Sequence, residues 1–119
     1  MAAATRIDVR DVDSVKVLRF TDHQLFDERT VREVAEQIAA ALPNDGSPIS
    51  VVLDFTDVGL ISSSLLSKLI LLQRRVDASK GKLRLCELSP VLQSVFRTSN
   101  LDRLFTINRD LRESLAAYA

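Results

Sequence analysis

"ISVVLDFTDVGLISSSLLSKLI", running from Ile49 to Ile70, decides the architecture of this chain. From Ile49 to Phe55 it is β-branched and almost wholly apolar, the pattern of a strand covered on both faces. "TDVGL" then connects to three consecutive serines, Ser62, Ser63 and Ser64. Beyond them the apolar period changes. At about 100° per residue, Leu65, Leu69, Leu72 and Val76 share one face, which predicts a helix from about Ser63 to Ala78 lying on a sheet. A fully covered strand followed by such a helix is one unit of a mostly parallel sheet.

Upstream, "TRIDVRD" and "SVKVLRF" alternate and predict a β-hairpin turning at "DVD" (11–13), although the strong Asn-Gly turn signal is missing. Asp27 is a good N-cap, and Val31, Val34, Ile38 and Leu42 follow at helical spacing. Pro43 and "NDGSP" end that helix. Downstream, "SKGK" is expected to close the helix after the serines with Gly81 near its C-terminal end. "KLRLCEL" reads as a strand. "SPVLQSVFRTSN" reads as a helix with Ser89 as cap and Pro90 at its first position. "LFTI" suits a short edge strand, and "RDLRESLAAYA" a terminal helix. The order β-β-α-β-α-β-α-β-α predicts an α/β fold: a mixed, mostly parallel sheet of about four or five strands with about four helices.

The composition is that of an ordinary soluble domain. The chain has 119 residues, 46% hydrophobic and 27% charged, enough for one core, and residues 1–119 are expected to form one domain. Sixteen basic residues balance sixteen acidic ones. Neither this balance nor the 5% of aromatic residues suggests a nucleic-acid partner. The single cysteine, Cys86, excludes an internal disulfide and fits a cytoplasmic setting. No apolar run is long enough to insert in a membrane, and "MAAATRIDVRDV" does not read as a signal peptide.

Little supports catalysis. There is no glycine-rich phosphate loop after any strand. The only histidine, His23 in "TDHQL", would have to serve any Ser-His-Asp arrangement, and the serines lack the glycine-flanked elbow of a hydrolase nucleophile. One His and one Cys far apart do not make a metal-ligand set. No catalytic residue, metal or cofactor is expected. The serines sit instead where a helix begins, and free N–H groups and the helix dipole favour negative charge there. Capping explains one serine but not three. A phosphoryl group on the first turn would bring about −2 charge that the fold tolerates. On the side of the helix away from Leu65, the sequence places Ser63, Ser67, Ile70 and Arg74, with Leu71 beside them. Ile70 and Leu71 are apolar where the helix should meet water. They either touch another element of the domain or form a partner-binding patch, which would also serve as a homodimer surface.

Two segments, "VVLDFTDVGLISSSLLSKLILLQRRV" and "GKLRLCELSPVLQSVFRTSNLDRLF", resemble the STAS domain (sulphate transporter and anti-sigma factor antagonist). The matching marks are an apolar strand ending in Asp54, a serine run opening a helix, Ser89-Pro90, and Asn100-Leu101-Asp102-Arg103-Leu104-Phe105. The resemblance implies a STAS-like domain that binds a cytosolic anti-sigma factor acting as a serine kinase, with a phosphatase reversing the modification. Position by position it places the phosphoacceptor at Ser63, with Ser62 and Ser64 as alternatives. Ser62 stands where the family has Asp, and Leu65 where it has Gly. In the loop "TDHQLFD", Asp22 and His23 join Ser62, Ser63, Ser67, Ile70, Leu71 and Arg74 as the expected partner-binding residues. The alternative is a STAS subunit that docks on a larger signalling or transporter assembly without being phosphorylated.

Overall fold

A computed structural model describes residues 4–118. The chain begins with an antiparallel hairpin, β1 (Ile7–Val12) and β2 (Val15–Phe20). Val12 opposes Val15, so the turn is Asp13-Ser14 and not the "DVD" expected from sequence. Both turn residues have positive φ, 48° and 72°, as the right-handed twist of a two-residue hairpin loop demands. Asp and Ser take on here the role usually given to Asn-Gly.

Next come β3 (Gln24–Leu25), α1 (Glu28–Ala41), β4 (Ser50–Asp54), β5 (Leu60–Ile61) and α2 (Ser63–Ala78). The chain closes with β6 (Lys82–Cys86), α3 (Pro90–Thr98), a 3-10 turn over residues 101–103, β7 (Thr106–Ile107) and α4 (Leu111–Ala116). The five-stranded sheet has the order β1-β2-β4-β6-β7, parallel throughout except for β1. β3 and β5 form a separate parallel ladder that the sequence did not announce. Two residues each are too short to carry a period.

The caps are as read from the sequence. The Asp27 carboxylate accepts from the Thr30 N–H at 3.0 Å, and the Ser89 Oγ accepts from the Leu92 N–H at 3.2 Å. Val31, Val34 and Ile38 from the first helix, and Leu42 just after it, join Leu65, Leu69, Leu72 and Val76 from the second. Together they cover one face of the sheet, whose residues there include Leu18, Val51, Leu53 and Leu85. The other face is smaller. Val15, Val17, Val52 and Cys86 pack against Leu111, Leu115 and Tyr118 of the C-terminal segment. The Tyr118 hydroxyl lies 2.8 Å from the Val51 carbonyl and 3.0 Å from that of Lys82, which fastens this end of the chain across two strands.

Gly81 has a different task from the one expected. The left-handed residue after α2 is Lys80, with φ 62°. Its N–H donates to Asp77 O at 3.0 Å, and the Gly81 N–H donates to Val76 O at 3.0 Å, which is a Schellman closure. Gly81 is needed for space: a Cβ there would lie 1.9 Å from the Ile49 carbonyl oxygen. Gly81→Ala should therefore destabilise the fold by about 2 kcal/mol or more, whereas Lys80→Gly, which relieves a left-handed side chain, should stabilise it by about 0.5 kcal/mol. Chemical denaturation of both variants checks the contrast.

Cys86 is buried, and burial, with the Asp54 carboxylate next in effect, pushes its thiol up from 9.0 to about 12. A thiol whose folded value is raised keeps its full contribution below the unfolded value and loses it as pH climbs towards the folded one. Stability should thus decline between pH 9 and about 12. In the folded protein at pH 8, Cys86 should resist iodoacetamide and label only on unfolding, which mass spectrometry across a urea series measures.

Candidate functional site

Because β2, β4 and β6 run parallel, the helices that follow them all begin at one end of the sheet. That end carries the N-termini of α1, α2 and α3, capped by Asp27, Ser62 and Ser89. The β3–β5 ladder closes it. The Ser62 N–H donates to Leu25 O at 3.0 Å, and the Gly59 N–H donates to His23 O at 2.8 Å, so the loop after β2 and the loop after β4 are joined.

The three serines have different surroundings. Ser62 is half-buried, and its Oγ accepts from the Leu65 N–H at 3.1 Å. Ser and Asp cap a helix about equally well, so Ser62 can fill an Asp position without loss of the helix start. Ser63 and Ser64 are exposed, and their hydroxyls make no hydrogen bond among the described residues. The Ser63 carbonyl accepts from the Ser67 Oγ at 3.2 Å. Leu65 is fully buried and supplies core volume.

The other expected residues divide. Asp22 is half-buried and ion-paired with Arg6 at 3.1 Å. His23 is exposed, with Nδ1 2.9 Å from the Asp57 carbonyl, so Nδ1 carries the proton and donates. No hydrogen bond joins His23 to any of the three serines among the described residues. Ser67 and Arg74 are exposed on the same stripe of α2 as Ser63. Ile70 lies on that stripe too, but it is half-buried and packs against the main core. Leu71 is 57% exposed and sits on the opposite flank of the helix, lining a groove against Ala35 and Ala39 of α1. The Ile70/Leu71 pair expected from sequence is therefore not one patch: about 100° of helix separates the two side chains.

Sequence reading missed two residues that lie nearer the serines. Phe26 is 57% exposed and Leu60 41% exposed. Leu25 and Ile61 oppose each other and are buried, so Gln24, Phe26, Leu60 and Ser62 take the outward side of the small ladder. Phe26 and Leu60 are thus both exposed apolar side chains on the outward side of the ladder, near the start of α2. The only sequence signal was the Leu-Phe pair in "QLFD", read as loop.

Asp54 is buried and turned towards the chain that follows it. Its carboxylate accepts from the Thr56 N–H at 2.9 Å and the Thr56 Oγ1 at 2.5 Å. It shapes the turn after β4. Among the described residues no cluster of three or more His, Cys, Asp or Glu could hold a metal, and no helix is long and apolar enough to cross a membrane.

Residues 24–111, from β3 to the first residue of α4, match the family model described as "Mlab, STAS domain". No curated protein matches the chain. Solved structures do. An anti-sigma-factor antagonist (STAS) domain protein from Planctomyces limnophilus is 25% identical, covering 98% of this chain and 100% of that one, with TM-score 0.85. An anti-sigma factor antagonist from Mycobacterium paratuberculosis is 22% identical, covering 93% and 91%, with TM-score 0.80. The phosphorylated form of the Bacillus cell fate determinant SpoIIAA is 20% identical, covering 95% and 99%, with TM-score 0.70. In both fold and family match, the chain belongs to the STAS family and has the architecture of the anti-sigma factor antagonists.

Proposed function

We propose that this chain is a cytosolic regulatory module of the anti-sigma factor antagonist type, and that Ser63 is its switch. The partner is an anti-sigma factor that is also a serine kinase. The observation that carries this reading is the division of labour among the serines. Ser62 is occupied as the cap, while Ser63 presents a free hydroxyl at the first position of α2, at the end where Phe26 and Leu60 are exposed. In the unmodified state a partner covers that end. The kinase moves the γ-phosphoryl of ATP to the Ser63 Oγ and releases ADP, and a phosphatase hydrolyses the ester. The added charge of about −2 suits the helix N-terminus, so the fold survives it. Against an apolar partner surface the same charge must be desolvated, and binding is lost.

The second reading is a STAS subunit that docks on a larger signalling or transporter assembly without modification. It is favoured by Ser62 in place of the family's Asp, which removes a carboxylate beside the acceptor. Under the switch reading, intact-mass and peptide mapping after incubation with the cognate anti-sigma kinase and ATP should find one phosphate, on Ser63. Ser63→Asp should weaken partner binding at least about tenfold with an unchanged melting curve, and Ser63→Ala should bind as wild type does. An unlabelled protein that binds its partner equally well as Ser63→Asp would support docking instead. The caps give an independent check: Ser62→Ala should cost about 1 kcal/mol of stability, and Ser63→Ala or Ser64→Ala less than about 0.5 kcal/mol.

A further inference from the structure

β1 is an edge strand, and its outer side is open. The Thr21 N–H donates to Arg6 O at 3.0 Å, and Val12 and Val15 close the two-residue turn. These two points set the phase of the ladder. The Arg6 carbonyl and the backbone groups of Asp8, Arg10 and Val12 turn towards β2, the Arg6 N–H donating instead to Gln37 Oε1 at 2.7 Å, while Ile7, Val9 and Asp11 turn theirs outward. Among the described residues nothing bonds to those outward groups. Val9 is 42% exposed, an unusual residue for a bare edge. By contrast β7, at the other edge, is only two residues long.

We propose that this edge pairs with β1 of a second copy of the chain, antiparallel and centred on Val9, so that two sheets join into one. The occupant follows from the edge's own complementarity. With Val9 opposite Val9, Ile7 meets Asp11 of the second copy. All three outward-facing residues then meet outward-facing residues, and each such pair exchanges two backbone hydrogen bonds. On the side of the sheet away from α1, Asp8 meets Arg10 of the second copy, twice by symmetry. On the α1 side the two Val9 side chains cover each other. Sliding the second copy by two residues opposes Asp8 to Asp8 in one direction and Arg10 to Arg10 in the other, which is unfavourable. Sliding it by one sets outward backbone groups against inward ones. The charges therefore select a single register. The two-fold axis stands perpendicular to the sheet, so the interface is isologous and closes at two copies. It is also distinct from the α2 end, which leaves Ser63 open in both copies.

Analytical ultracentrifugation of the full chain from micromolar to millimolar concentration tests this. A monomer–dimer equilibrium is expected. Asp8→Arg should weaken it at least about tenfold by opposing arginines at both symmetric positions, and Asp8→Arg with Arg10→Asp should restore it. Asp8 and Arg10 are exposed, so both variants should keep the fold, with melting temperatures only slightly lowered because Asp8 stands opposite Arg19 within its own hairpin. In the proposed register the two Val9 Cα atoms stand about 5.5 Å apart, within disulfide reach, so Val9→Cys should cross-link on mild oxidation and Asp8→Cys should not. A monomer at every concentration, a dimer indifferent to Asp8→Arg, or cross-linking through Asp8→Cys would each overturn the proposal.

Discussion

A strand buried on both faces has only other strands to satisfy its backbone, and β4 is that strand. Val51, Val52 and Leu53 are wholly inaccessible, so every N–H and C=O between Ser50 and Asp54 must find a partner in β2 or β6. Parallel pairing on both sides forces the connections to cross the sheet, and the crossovers are α1 and α2. The helices consequently start at the same end. The placement of the serines beside the loop after β2 is thus a by-product of how one apolar strand must be bonded.

The legible parts of the sequence were those where burial repeats with a period. The run from Ile49 to Phe55 and the Leu65–Leu69–Leu72–Val76 stripe each repeat the same instruction several times, and both elements lie where they were read. The caps at Asp27 and Ser89 were legible because their chemistry is local, and so was a serine cap on the next helix, although the structure was needed to say that it is Ser62. The β3–β5 ladder was not, because each strand has two residues and becomes a strand only by meeting the other. Phe26 and Leu60 were overlooked for the same reason: they are brought to one side of the chain only once that ladder exists. Ile70 failed differently. Helical angle gave its direction correctly, but whether a flank of the helix meets water depends on which neighbours reach it, and here the main core does.

The departures from the family's acceptor motif also become intelligible as packing. Ser62 caps the helix as an Asp would, at no charge. Leu65 takes a position with no solvent exposure, contributing apolar volume that a glycine could not. Both residues are compatible with the helix start: Ser62 changes its electrostatics, and Leu65 the packing beneath it. A shared strand order at 25% identity or less is what such exchanges leave behind.

The junction beneath α2 separates the two ends of the molecule in a useful way. Ile49 is clamped there: its carbonyl accepts from Lys82 N–H at 2.8 Å, its N–H donates to Ser79 Oγ at 3.0 Å, and Gly81 lets the chains touch. A few residues earlier, Gly46 is exposed with φ 85°, and nothing lies within 4 Å of where its Cβ would be. The clamp shields β4 from whatever happens in the 44–47 loop. A fluorophore or affinity tag grafted at that loop would ride at the far end of the sheet from Ser63, reporting on complexes without entering them.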